Sequence, residues 1–202
     1  MFIIVMGVSG SGKNTVGELL AERLGCRFYD GDRFHSPENV AKMAAGTPLT
    51  DADRAGWLAT LADIIRKGLA AGESGVLACS ALKQKYRDIL CVDPQQVHFV
   101  YLQGSYDVIW DRMRQRKGHY MKAAMLESQF ATLEEPATAL TYDIREAPQQ
   151  IVEAVLAQLA PERLQRAVEP QSVGMLGLGV MGRSLALNLH RNGFRVIGFD
   201  PF

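Results

Sequence analysis

The residues best suited to chemistry form a glycine-rich stretch near the start of the chain, Gly7-Val8-Ser9-Gly10-Ser11-Gly12-Lys13-Asn14-Thr15. It follows the apolar run 2–6, which predicts a buried strand, and precedes residues 16–24, whose apolar side chains recur at helical spacing. A G-x-x-x-x-G-K match in that setting predicts a phosphate site. The glycines let successive backbone N–H groups point at one anion, and the helix start adds partial positive charge. Lys13 can then reach the outer phosphates of a nucleotide, whereas the plain alternative is a turn that only joins strand to helix.

One position of this loop departs from the pattern. After the lysine the pattern has Ser or Thr, whose hydroxyl ligates Mg²⁺, and here the residue is Asn14. An amide oxygen can bind a hard cation, but it is a neutral carbonyl on a longer side chain. Thr15 supplies a hydroxyl one residue later, about 100° further round the helix. The sequence supports nucleotide binding and leaves the metal geometry and the turnover open.

A pair of acidic residues, Asp30 and Asp32, leaves the end of the predicted strand 26–29. Phosphoryl transfer needs a carboxylate that orients or deprotonates the accepting hydroxyl. If the chain is still extended here, spacing by two places both carboxylates on one side. We expect Asp32 to face the acceptor hydroxyl and Asp30 to lie nearer the metal, beside Asn14 and Thr15 as the other predicted ligands. The alternative is a turn that uses Asp-Gly-Asp for its backbone geometry.

A basic stretch occupies residues 112–120 and contains Arg116, Lys117 and His119, with Gly118 as a candidate hinge. The functional interpretation is a lid that closes over the phosphates and excludes water. The alternative is a solvated basic face, which is the commoner fate of a charge run.

Further polar side chains could bind an anionic or polyhydroxy substrate. Ser80, Lys83 and Arg87 follow a predicted buried strand, and His35 lies close to Asp32 in the sequence. The alternatives are helix surface charge for the first group and an ordinary surface histidine for His35.

The elements that must position these groups alternate between strand and helix. We predict strands at 2–6, 26–29, 76–79, 97–102 and 140–144, and helices at 16–24, 37–45, from Thr50 or Asp51 onward, 83–90, 105–113, 125–133 and 148–159. Such alternation predicts an α/β fold with a parallel sheet and helices on both faces. Ligands of these sheets lie at the carboxyl ends of the strands, where the phosphate loop, the acidic pair and Ser80 all fall.

Length, charge and cysteine content exclude several classes of function. The chain has 202 residues and a formal net charge of zero, so nothing favours a nucleic-acid-binding surface. Cys26, Cys79 and Cys91 form no metal spacing and are typical of reduced thiols in a cytoplasmic protein. The N-terminal apolar run is too short for a membrane span and continues into the phosphate loop, so it is not a signal peptide.

Taken together, the motifs resemble the gluconokinase family over about residues 1–160. The resemblance rests on Gly7 to Lys13, Asp30-Gly31-Asp32 with His35, Asn39, Lys42-Met43, Gly46, Pro48-Leu49, Asp51, Asp53-Arg54, Trp57-Leu58, Cys79 to Lys83, Tyr86-Arg87-Asp88, Arg116 to His119, Ser128-Gln129-Phe130, Leu133-Glu134 and Pro136. It implies a P-loop small-metabolite kinase fold and ATP-dependent phosphorylation of D-gluconate at its terminal hydroxyl, giving 6-phosphogluconate, with ATP and Mg²⁺ as cofactors. Asn14 departs from the serine of the family pattern.

The resemblance also implies roles for particular residues. Asp32 and Arg54 would hold the substrate, and Arg116 would belong to the lid. Lys13, Asp32 and Arg116 are therefore the predicted catalytic residues. An Arg fork suits the carboxylate of gluconate, and the polyol chain would be bound by Asp32, His35, Ser80 and Gln129, with Lys83, Arg87 and His119 as further predicted substrate ligands.

Some alternatives stay open at this stage. A homodimer is implied by the resemblance alone. A non-catalytic nucleotide-binding module, impaired by Asn14, would differ from a kinase in turnover and not in binding. Shikimate kinase has a similar plan and would differ in the acceptor that it phosphorylates.

The last part of the chain restarts the strand–helix pattern. Residues 161–171 are polar and proline-bounded, as is typical of a linker. Strand 172–176, Gly177-x-Gly179-x-x-Gly182, helix 184–191 and strand 195–199 ending at Asp200 then form a dinucleotide fingerprint, a partial Rossmann βαβ fragment over 172–202.

This tail resembles the start of 6-phosphogluconate dehydrogenase or its β-hydroxyacid dehydrogenase relatives, an enzyme that would consume the kinase product. Asp200 could accept a hydrogen bond from a ribose 2′-OH and would repel a 2′-phosphate, which favours NAD over NADP. We expect the tail to be truncated and to lack dehydrogenase activity, because an NAD(P) site needs the full-length domain.

Overall fold

Five parallel strands form the centre of the first of two compact units, Met1–Leu156 and Ala157–Phe202. The computed structural model describes residues 1–115, 123–161, 172–176 and 195–199. In chain order the strands are β1 (Phe2–Met6), β2 (Arg27–Asp30), β3 (Gly75–Ala78), β4 (Val97–Gln103) and β5 (Leu140–Asp143). Their spatial order is β2-β3-β1-β4-β5, so that β1 lies in the middle with Val5 beside Ala78 on one side and Val100 on the other.

The helices of the described residues connect these strands. They are α1 (Lys13–Leu24), α2 (Pro37–Ala44), α3 (Asp51–Ala70), α4 (Gln84–Leu90), α5 (Tyr106–Gln115), α6 (Ala123–Thr132) and α7 (Pro148–Leu159). The connection from β1 to β2 runs one way along the sheet and the others run back. Right-handed crossovers therefore place α1 on one face and the later connections on the other.

Strand β1 is buried on both of its faces, which explains its unbroken apolar run. Phe2, Ile4 and Met6 belong to a core cluster with the α3 residues Trp57, Leu58, Leu61 and Ile65. Because side chains alternate along a strand, Ile3 and Val5, which are fully buried, face the opposite layer. The predicted α/β fold with helices on both faces is confirmed.

Helix ends lie close to where the sequence places them. Thr50 is the N-cap of α3, and a capping box joins its hydroxyl and backbone to Asp53. Gly25 ends α1 in the left-handed conformation. The largest difference is at the start of α1, which begins at Lys13 and so takes in the end of the phosphate loop.

The second unit contains two described strands, β6 (Ser172–Leu176) and β7 (Arg195–Phe199), which pair in parallel from Ser172 beside Arg195 to Leu176 beside Phe199. Both strand predictions are confirmed. Residues 162–171 of the predicted linker and the fingerprint residues Gly177, Gly179, Gly182 and Asp200 lie outside the described residues. Across the described ranges, no helix is both long and apolar enough to cross a membrane.

Candidate active site

The phosphate loop connects β1 to α1 at the carboxyl edge of the sheet. Gly7, Gly10 and Gly12 have φ angles of 143°, 83° and 98°, so the loop depends on backbone conformations that glycine adopts without strain. Gly7 is also enclosed, because a Cβ there would lie 2.9 Å from both Leu102 O and Ser11 Oγ. Lys13 Nζ donates to Val8 O at 3.0 Å, which holds the ammonium over the loop.

Asn14 and the acidic pair are neighbours across the first crossover. Asn14 Nδ2 donates to Asp30 Oδ2 at 3.2 Å, so the residue that replaces the usual serine is tied to the end of β2. The chain is not extended from Asp30 to Asp32, and the alternative of a turn at Asp-Gly-Asp is confirmed. Asp30 ends β2 and caps a 3-10 turn, Gly31–Phe34, by accepting a hydrogen bond from Asp32 N at 3.1 Å. The local capping bond bends the chain, so the two carboxylates do not share one side of a strand.

The acidic turn packs against helix α3. Trp57 Nε1 donates to Gly31 O at 2.7 Å, and the Trp57 ring stacks on His35 with 4.2 Å between centroids. Arg54 lies one helical turn before Trp57 and donates to Leu49 O and Thr50 O. Burial lowers the pKa of His35, and the Arg54 charge lowers it further while Asp32 opposes the shift. His35 therefore lies within the range of both charges, that of Asp32 and that of Arg54.

The acidic turn and α3 meet at the end of β3, because Gly31 packs against Ala78 O and accepts the Trp57 indole N–H. Burial raises the pKa of the Cys79 thiol, which follows this strand, to about 12, and the charge of Asp32 raises it as well, while Lys13 and Arg54 act in the opposite sense. Ser80, the next residue, accepts the Gly7 N–H at 3.4 Å through its backbone oxygen.

A groove next to the carboxyl edge of the sheet lies between α6 and the segment before α3. It is lined by Met43, Thr47, Pro48, Leu49, Arg54, Leu82, Met125, Ser128, Gln129 and Thr132. Gln129 also reaches the phosphate loop, because its Oε1 accepts the Ser9 N–H at 2.7 Å. One side chain thus contacts both the loop and the groove that contains Arg54.

Two predicted substrate ligands have other partners. Arg87 is 3 % exposed and donates to Ala81 O at 3.0 Å, Leu82 O at 3.1 Å and Gln84 Oε1 at 2.8 Å. This corrects its interpretation as a substrate ligand, because its donors hold the loop after β3. Lys83 Nζ pairs with Asp51 at 3.0 Å, together with Lys85 at 2.6 Å, and Tyr86 donates to the same carboxylate. Lys83 therefore connects α4 to the start of α3.

The predicted lid residues Arg116, Lys117, Gly118 and His119 lie outside the described residues. Sequence reasoning missed two features of the site. The hydrogen bond and the ring stack of Trp57 were not predicted, and the groove residues Thr47, Ser128 and Thr132 were not identified as lining residues. The Thr-Pro-Leu-Thr segment before α3 could have indicated this part of the groove, because its last threonine is the N-cap at which α3 begins.

Comparison with known proteins agrees with this geometry. A family model described as shikimate kinase matches residues 9–160. The probable gluconokinase of Mus musculus is 46 % identical over 177 residues, covering 79 % of this chain and 91 % of the relative. The gluconokinase of Gluconobacter oxydans (strain 621H) is 52 % identical over 135 residues, 67 % of this chain and 76 % of the relative. A crystal structure of a gluconokinase from Sinorhizobium meliloti 1021 has a TM-score of 0.72 at 44 % identity, covering 82 % of this chain and 94 % of that one.

The glycine-rich loop on a five-stranded parallel sheet, with an acidic turn beside it, defines a P-loop kinase of the shikimate kinase type. Within that class, the identity and coverage of the relatives show that the chain belongs to the gluconokinase family. A second family model, the NAD binding domain of 6-phosphogluconate dehydrogenase, matches residues 172–201.

Proposed function

We propose that this chain transfers the γ-phosphoryl group of ATP to the terminal hydroxyl of D-gluconate, giving 6-phosphogluconate and ADP. The observation that carries the proposal is the phosphate loop with Lys13 at the carboxyl edge of the sheet, joined through the Asn14–Asp30 hydrogen bond to the acidic turn that carries Asp32. Relatives named gluconokinase match this chain over most of their length. The activity in the names of these relatives and the charged residues of this site favour the same reaction.

Each group has a distinct task in this proposal. The loop amides and Lys13 bind the triphosphate, and the α1 N-terminus adds partial positive charge. Asp32 accepts the proton of the attacking hydroxyl and orients it in line with the γ-phosphorus. Arg54 binds the gluconate carboxylate, since a guanidinium matches a carboxylate in shape and charge. His35, Ser80 and Gln129 are proposed to contact the polyol, and Arg116 and His119 to cover the phosphates.

The donor set near Asn14 fits a magnesium ion. Mg²⁺ prefers oxygen ligands and usually keeps several of its waters. Asp30 supplies a carboxylate next to Asn14, and the Asn14 Nδ2 contact with Asp30 leaves the amide oxygen as the group that can face a cation. Thr15 is exposed one residue further on. When bound, Mg²⁺ neutralises charge on the outer phosphates.

The test is a coupled assay of ADP release across a panel of acceptors: D-gluconate, shikimate, other sugar acids and no acceptor. Release that depends on D-gluconate, together with 6-phosphogluconate among the products, supports the proposal. Release with shikimate alone would assign a shikimate-kinase activity instead. Nucleotide binding without release on any acceptor would identify a binding module in which Asn14 prevents turnover.

For the second unit we propose a separate origin, with residues 172–202 belonging to a dinucleotide-binding region joined through linker 161–171. The parallel pair β6 and β7 and the match to residues 172–201 support it. A mixture of the chain, 6-phosphogluconate and NAD or NADP tests this region for reduction of the nicotinamide.

A further inference from the structure

The acidic turn that carries Asp32 is held from two sides. On the sheet side, a Cβ at Gly31 would lie 2.6 Å from Ala78 O, so the turn touches the end of β3 with no space between them. On the helix side, Trp57 donates its indole N–H to Gly31 O at 2.7 Å in a buried hydrogen bond. The turn therefore has no room to move toward the sheet, and the Trp57 indole joins it to α3 by a hydrogen bond.

Trp57 also fixes the other end of the same turn. Its ring stacks on His35, the C-cap of the turn, with 4.2 Å between ring centroids and 17° between ring planes. Trp57 is 4 % exposed and packs within the core cluster. A side chain with little freedom of its own thus contacts the residue before Asp32 and the residue three positions after it.

The same helix presents Arg54, and this gives the contact a consequence for the reaction. Arg54 and Trp57 are three residues apart on α3 and so share a face of the helix. A change in the contacts between Trp57 and the acidic turn therefore changes the distance between the Asp32 carboxylate and the Arg54 guanidinium. Those two groups must match the length of one acceptor molecule.

We propose that Trp57 is a positioning residue for the acceptor substrate: its hydrogen bond to Gly31 and its stack on His35 set the spacing between Asp32 and Arg54. The proposal rests on the proposed function, because Asp32 and Arg54 are its substrate ligands. It assigns to Trp57 an effect on the acceptor and none on the nucleotide, since the hydrogen bond and the ring stack of this side chain are both made to the acidic turn.

The test compares Trp57→Phe, which keeps an aromatic ring and loses the N–H, with Trp57→Leu, which loses both contacts. The matched control is Phe2→Leu, another buried aromatic of the same core cluster, which packs against Gly68 and Gly75 away from the carboxyl edge. Steady-state constants are measured for gluconate and for ATP, and thermal unfolding is measured for every variant.

We expect Trp57→Phe to lower kcat/KM for gluconate by about tenfold, less than the hundredfold that a displacement of about 1 Å can cost, with KM for ATP within about twofold of the original. Phe2→Leu should lower the melting temperature and leave both KM values unchanged. Unchanged gluconate constants in Trp57→Phe, or parallel losses for gluconate and ATP, would overturn the assignment.

A second measurement does not depend on turnover. The pKa of His35 is followed by NMR titration in the original chain and in the Trp57 variants. Because burial lowers that pKa, it should rise toward its ordinary value in Trp57→Leu if the stack is what buries the ring. An unchanged His35 pKa in a folded Trp57→Leu variant would contradict the contact of Trp57 with the acidic turn, even if gluconate proved not to be the substrate. If the original chain fails to phosphorylate gluconate but the His35 pKa rises in Trp57→Leu, the proposed function is rejected and the role of Trp57 in holding the turn is kept.

Discussion

The side-chain oxygen of Gln129 accepts a hydrogen bond from the backbone N–H of Ser9 at 2.7 Å. Helix α6 is thereby attached to the phosphate loop, and the same glutamine lines the groove that contains Arg54. The contact supplies a partner for a loop amide, and it places an uncharged acceptor where a carboxylate would repel a triphosphate.

Gln129→Leu should raise KM for ATP by about fivefold, because a net hydrogen bond of about 1 kcal/mol to the loop is lost. Gln129→Glu keeps an acceptor oxygen but adds a negative charge near the phosphates, so its KM for ATP should rise further and depend more strongly on salt. Steady-state kinetics at two ionic strengths measure both effects. The control is Glu127→Gln, an exposed change on the same helix. Equal KM values for ATP in Gln129→Leu and the original chain would show that the contact does not contribute to nucleotide binding.

Replacing Asn14 with serine tests the departure in the loop. Asn14→Ser restores a hydroxyl ligand, so at limiting Mg²⁺ we expect a rate increase of about tenfold, equivalent to about 1.4 kcal/mol. Asn14→Ala supplies neither the amide oxygen nor the hydroxyl and should be slower than both. The measurement is the dependence of kcat on Mg²⁺ concentration. If the serine and asparagine forms have the same rate at limiting Mg²⁺, the amide is as good a ligand as the hydroxyl.

Asp32→Asn should abolish most of the transfer, with a loss of about 10²- to 10⁴-fold in kcat, because the amide cannot accept the hydroxyl proton. Binding of ATP should be nearly intact, since the nucleotide contacts belong to the loop. Calorimetric titration with ATP and a product assay separate the two effects. Asp63→Asn is the control, because Asp63 is a carboxylate on α3 that pairs with Lys67 at 2.7 Å. Full activity in Asp32→Asn would exclude Asp32 from its proposed role.

The capping box at the start of α3 gives a prediction about stability. Asp53 N donates to Thr50 Oγ1 at 3.2 Å, and the Asp53 carboxylate accepts from Thr50 N at 2.8 Å. Thr50→Ala removes the N-cap acceptor and should lower the free energy of unfolding by about 1 kcal/mol. Thr60→Ala, an exposed change inside the same helix, should stay within about 0.5 kcal/mol. Urea unfolding of the three proteins measures this, and equal midpoints would show that the box contributes nothing.

His35 makes the stability depend on pH. Its pKa is lowered in the folded chain, chiefly by burial, so the unfolded state binds more protons as the pH falls below the ordinary value of about 6.5. The His35 contribution is complete above about pH 6.5 and decreases as the pH falls toward the folded-state pKa. His35→Gln should therefore flatten the dependence of the unfolding free energy on pH below about pH 6.5. Burial also lowers the pKa of His98, so His98→Gln shows the size of that separate contribution. An unaltered slope in His35→Gln would contradict the role given to burial.

The sequence could predict the order of strands and helices because periodicity and capping residues are local signals. It also located Lys13, Asp32 and Arg54, since strand ends and a family resemblance both indicate them. It offered a turn at Asp-Gly-Asp only as an alternative, because the turn follows from the Asp30 side chain capping Asp32 and from a close approach to Ala78.

Arg87 shows that the sequence also could not predict whether a charged side chain is exposed or buried. Its spacing along α4 is typical of a surface residue, yet it is buried and donates hydrogen bonds to the carbonyls of Ala81 and Leu82. Trp57 enters the sequence analysis only through the family resemblance, and the partner of its N–H lies on a different element. Periodicity indicates which face of a helix is covered, whereas hydrogen-bond partners from distant segments depend on tertiary packing.

The position of β1 in the sheet has a consequence for biosynthesis. This strand is synthesised before both of its neighbours, β3 and β4, which begin only at Gly75 and Val97. A nascent chain that has not reached them has an unpaired apolar strand attached to a glycine loop that nothing yet encloses. The nucleotide-binding loop therefore cannot be completed until β3 and β4 have been translated, and chaperones would meet β1 as an exposed hydrophobic segment until then.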